Sequence, residues 1–173
     1  PGRALTWEPA RGRAGGTDGG DGKAGADRSA ARGGIAGCGL TTYGTTPLAI
    51  ARACAAGGAD PAFRRTQGAM AAFPFLIGGT GRFDTALLEA AGHLVTAKIG
   101  GAAVWAAVVR PGGPGIAIKL EAGGAEAIPV VAIAVLEQLH VLDSASAERL
   151  VPFAKLAIRN GAGSPYTVFT PFW

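Results

Sequence analysis

The chain has 173 residues, 49% of them hydrophobic and 16% charged, with a formal net charge of +4. That length and apolar share fit one domain around one core and exclude a chain disordered throughout. Two cysteines exclude a disulfide framework, while 29 glycines and 11 prolines announce a turn-rich chain.

Residues 1–34 contain no Val, Ile or Phe and hold six of the 16 Lys and Arg residues among Gly and Ala. Without large aliphatic side chains such a segment cannot offset its ordering entropy, so it reads as a disordered tail or as the product of a non-native reading frame. Trp7 is its only aromatic residue, so there is no stacking platform for a nucleic acid, and none is expected as partner. The start lacks an apolar signal core, and the longest apolar run, 128–136, is too short for a bilayer. The expected setting is soluble, reducing and cytoplasmic, with no membrane partner.

From Ile35 the pattern changes. Thr45 or Thr46 can cap a helix starting at Pro47 and stopping at Gly57-Gly58, with Ile50, Ala53 and Cys54 on one face. Asp60-Pro61 opens a second helix that Pro74 ends after Phe73. The glycine-rich IGGTGRFDT loop then delivers Asp84 or Thr85 as the cap of a short helix. LVTAKIGGAAVWAAVVR reads as two strands, or one broken at Gly100-Gly101, and the PGGPG turn makes an antiparallel pair with GIAIKLE. EAIPVVAIAVLEQLHVL is an apolar helix with Pro129 in its first turn, and such a helix belongs under a sheet. Ser144 is the expected cap of a last helix through Lys155, and RNGAGSPYTVFTPFW then departs from the pattern. Antiparallel strands packed against helices give an α+β fold.

Lys98 is the first candidate for chemistry. It ends an apolar strand at a glycine pair, where loss of hydration would make its amine usable as a base. Arg82, in the glycine loop, can clamp a carboxylate with its planar fork. The loop lacks the GK[ST] of a phosphate-binding loop, which argues against a nucleotide. Lys119 alternates outward along its strand, Asp84 reads as a cap, and His93 and His140 sit near helix ends. No Ser-x-x-Lys, G-x-S-x-G or H-E-x-x-H occurs in the chain.

Together, GCGLTTYGTTPLAIARACA, AMAAFPFLIGGTGRFDTALLEAAGHLVTAKIGGAAVW and GIAIKLEAGGAEAIPVVAIAVLEQLHVL resemble, in this order, the C-terminal half of the L-asparaginase II family, rhizobial inducible type. The resemblance covers roughly residues 35–160, leaving 161–173 as an atypical tail. It implies a serine β-lactamase-like fold, here partial, a homodimer, and hydrolysis of L-asparagine to aspartate and ammonia by a serine that lysines activate. Lys98 matches the lysine that pairs with that serine, and Cys38 matches a cysteine that helps to hold zinc beside the substrate. One cysteine is a single ligand where a tight zinc site needs three or four. The family's Ser-x-x-Lys and Cys-x-x-Lys do not occur here, Ala36 replaces an Asp, Ala102 an acidic residue, and Asp84 stands at a position where relatives carry cysteine. The expectation is a truncated amidohydrolase with little or no activity alone. The alternative is a noncatalytic module that binds or oligomerises through uncovered apolar surface.

Overall fold

The computed structural model describes residues 33–35, 39–121 and 123–169. The expected tail before residue 33 therefore lies outside the described residues. The first elements are a two-stranded antiparallel ribbon, β1 (Gly33–Ile35) and β2 (Thr41–Tyr43), with Ile35 opposite Thr41.

Helix α1 (Pro47–Gly57) starts as the sequence predicts: Thr46 is extended, and its hydroxyl accepts the Ala49 N–H at 3.2 Å. Proline fits the first position because that N–H has no helical partner. The same device starts α2 (Pro61–Ala72), where Asp60 Oδ1 accepts the N–H groups of Ala62 and Phe63. After the short α3 (Pro74–Gly78), α4 (Phe83–Ala91) begins at least two residues earlier than expected. Its cap residue is Arg82, which makes no side-chain capping bond, so neither Asp84 nor Thr85 is the cap.

Strands β3 (Val95–Ile99), β4 (Val104–Val109) and β5 (Gly115–Lys119) form one antiparallel sheet in that order. Register places Ala97 opposite Ala107 and Ile99 opposite Trp105, and Trp105 opposite Ile118. Because side chains alternate between faces, Val95, Ala97, Trp105, Ala107, Ile116 and Ile118 line one side. This side joins a core with Leu87 of α4 and with Ile128, Ile133 and Leu136 of α5 (Ile128–Gln138). The apolar α5 thus lies under the sheet, as its sequence predicts.

Helix α1 covers the opposite face at β4 and β5. That face carries small residues there, namely Ala106, Ala117 and Gly115. Close seating of a helix requires such a face, since a Cβ at Gly115 would overlap the Ala51 carbonyl oxygen.

The last helix, α6 (Ser144–Leu150), is capped by Asp143 and not by Ser144: Asp143 Oδ1 accepts the Ser146 N–H at 2.7 Å. Both residues suit a cap, and Asp143 is the one left extended outside the first turn. The helix is shorter than expected, giving way to a 3₁₀ turn at Val151–Phe153. Beyond it, β6 (Leu156–Arg159) and β7 (Pro165–Phe169) form a hairpin where the sequence suggested only a break in pattern. The architecture is α+β, with helices on both faces of the central antiparallel sheet.

Candidate active site

The site forms where the start of α4 meets the end of β3. Asp84 is the second residue of α4, and its side chain is 1% exposed. Its Oδ2 accepts the Ile99 N–H at 2.7 Å and faces Lys98 Nζ at 3.3 Å. Lys98 Nζ also donates to the Ile99 carbonyl at 2.7 Å, while half of its side chain remains exposed. The other carboxylate oxygen, Oδ1, is buried without a hydrogen-bond partner.

Two sequence expectations change here. Lys98 is not desolvated at the strand end, because its side chain reaches water and an acid. Asp84 is not a helix cap, because its carboxylate turns across to the edge of β3. Sequence reasoning missed Asp84 as the partner of Lys98. The signal was an acid in the first turn of a mostly apolar helix, fourteen residues before the lysine.

The preceding loop is tightly specified. Gly79 and Gly81 have φ of +86° and +68°, where a side chain would be strained. Thr85 Oγ1 donates to Gly79 O at 2.8 Å and packs where a Cβ on Gly78 would fall. Thr85 thus ties the loop to its own helix. Arg82 leaves this loop two residues before Asp84, exposed and without a side-chain hydrogen bond among the described residues. Lys98 thus meets Asp84, which follows Arg82 by two residues in the chain.

On the far side of the β3–β4 turn, Lys119 Nζ donates to the carbonyls of Ala102 (2.6 Å) and Leu120 (2.7 Å). It is half-buried and holds the turn, in contrast to the free surface placement its strand pattern suggests. Ala102 and Ala103 both have φ of +53°. Unstrained L residues avoid that region, and the Lys119 bond with the Leu120 N–H to Ala103 O (3.0 Å) keeps them in it.

Cys38 lies outside the described residues. Cys54 sits half-buried on α1, where burial pushes its thiol pKa up, as suits an inert core residue. Among the described residues no group of three or more His, Cys, Asp or Glu could hold a metal ion. They do not fit the zinc site that the resemblance implies, which needs three or four ligands. His93 lies 3.9 Å from Asp143 at the surface, away from Lys98 in its bonding.

Ser146 is buried and donates to Ala90 O at 2.9 Å, and no serine among the described residues bonds to either Lys98 or Lys119. No helix among the described residues is long and apolar enough to cross a membrane.

No curated protein matches the chain. Residues 23–170 match the sequence model of L-asparaginase II, a span that includes the GTGRFDT loop, the Lys98 strand and the GIAIK strand. The match supports, at family level, an asparaginase-like amidohydrolase that takes a small-molecule substrate, and the chain belongs to the L-asparaginase II family.

Proposed function

We propose that the chain takes part in hydrolysis of L-asparagine to L-aspartate and ammonia, contributing the lysine corner of the site. The observation that carries this reading is the pairing of Lys98 with Asp84, directly after the Arg82 loop and within the span that matches the family. Lys98 offers a donor at the strand end, and Arg82 offers a planar fork suited to the carboxylate of an amino acid. The Thr85 bond to Gly79 limits the freedom of the loop that presents Arg82.

The nucleophile is not supplied by these residues, because the chain contains no Ser-x-x-Lys. Binding therefore exceeds turnover in this reading, and the chain alone hydrolyses asparagine weakly or not at all. A homodimer, a partial β-lactamase-like fold and a cytoplasmic setting belong to the same proposal.

The test is titration of the chain with L-asparagine and L-aspartate by calorimetry, with ammonia release measured alongside. We expect saturable binding that Lys98→Ala weakens by about tenfold, the usual loss when a hydrogen bond to a charged group is removed. Absence of binding to either amino acid would refute the reading.

A noncatalytic binding module is the second reading, and it rests on Phe73, Phe75 and Leu76. These neighbours are 61%, 60% and 77% exposed, an apolar corner of the kind found at interaction surfaces. Strong binding of an apolar dye with no asparagine binding would favour it.

A further inference from the structure

We infer that Asp84 is a positioning residue that holds Lys98 as a fixed ammonium, so that Lys98 meets a ligand as a donor to an anionic oxygen and not as a proton acceptor. The inference deepens the proposed function and rests on its placement of Lys98 in the site.

Asp84 sets the demand for a positive partner. Its carboxylate is almost completely removed from water, and a buried charge is tolerated only when paired and hydrogen-bonded. Oδ2 has two donors, Ile99 N–H and Lys98 Nζ, whereas Oδ1 has none. Among the described residues Lys98 is the only cation paired with it. A Lys98 that gave up its proton would leave this half-satisfied carboxylate without a counter-charge. The start of the nine-residue α4 also favours negative charge at Asp84, which strengthens the demand for an ionised carboxylate.

Lys98 itself meets no opposing demand. Its side chain is 51% exposed and keeps contact with water. An ammonium has three N–H groups, and two are taken by Asp84 Oδ2 and the Ile99 carbonyl. The third remains for a ligand on the exposed side. No serine or histidine among the described residues bonds to Lys98 to exchange a proton with it. The acid that stands at this place therefore changes what the lysine can do.

Competitive acylation with acetic anhydride, read residue by residue by mass spectrometry, tests this directly because only a neutral amine reacts. The reference is Lys155, which is exposed and has no partner among the described residues. In the wild-type chain Lys98 should react about fivefold more slowly than Lys155, the scale of a partly exposed ion pair. Asp84→Asn keeps the shape and an acceptor for the Ile99 N–H but removes the charge. It should raise the Lys98 rate about fivefold and leave Lys155 unchanged.

Lys98 reacting as fast as Lys155 or faster, or a Lys98 rate that Asp84→Asn leaves unchanged in a folded variant, overturns the inference. Should the variant lose its far-ultraviolet circular dichroism, the wild-type ratio decides. The readout needs neither asparagine nor turnover, so its failure is distinct from a failure to bind asparagine.

Discussion

Gly115→Ala should dislodge α1 from the sheet. A Cβ at Gly115 would overlap the Ala51 carbonyl oxygen and stand 2.8 Å from both Ala51 C and Ala55 N. Ordinary contact begins at 3.4 Å, and every atom in the way is helix backbone, so the helix itself must withdraw. No rotamer change can relieve the overlap. Overpacking of this kind costs about 3 kcal/mol when the neighbours cannot give, and the small gain from replacing a glycine in the unfolded chain does not offset it. For a domain of this size the midpoint of thermal unfolding should fall by about 9 °C. Hydrogen exchange should localise the effect, with α1 amides losing protection before those of β4. A variant within about 0.5 kcal/mol of wild type in urea unfolding, the range of an inconsequential surface change, would refute the reasoning that α1 is seated through this glycine.

Ala102→Gly should stabilise the protein by about 0.5 kcal/mol, because glycine removes the left-handed strain at φ +53° and gives back part of that in chain entropy. A loss of stability in urea would show that the turn is not strained. Asp143→Ala should lower the melting temperature by uncapping α6. The Ser146 N–H holds the Asp143 carboxyl below the usual carboxylate range, with His93 a smaller contributor. A lowered folded value means that this contribution is complete above the ordinary carboxylate value of 3.8 and is lost as pH falls through the folded value below it. The gap in melting temperature between wild type and Asp143→Ala should therefore close only in acid, and a gap independent of pH would contradict the assignment.

By itself the sequence determined where most elements start and which chain-local devices start them. Thr46 before Pro47, Asp60 before Pro61 and Pro129 at the head of an apolar run act within four residues, so they are written out in order. The β4–β5 pair was equally legible, because a five-residue turn allows only an antiparallel return. The loop, the lysine strand and the GIAIK strand carried enough local identity to mark the family.

Only the tertiary structure decided what Asp84 does. Its position suits a cap, and the competing partner is a lysine fourteen residues away that becomes its neighbour once α4 packs on β3. Asp143 and Ser144 were both adequate caps, and the chain's path into α6 selected Asp143. The same holds for Gly115, an ordinary strand residue until α1 is laid across it, and for Lys119, outward by alternation until the strained turn folds beneath its amine. Local chemistry fixes an element because its donors and acceptors are close in the chain. A site joins groups that are distant in the chain, and packing alone determines which of them meet.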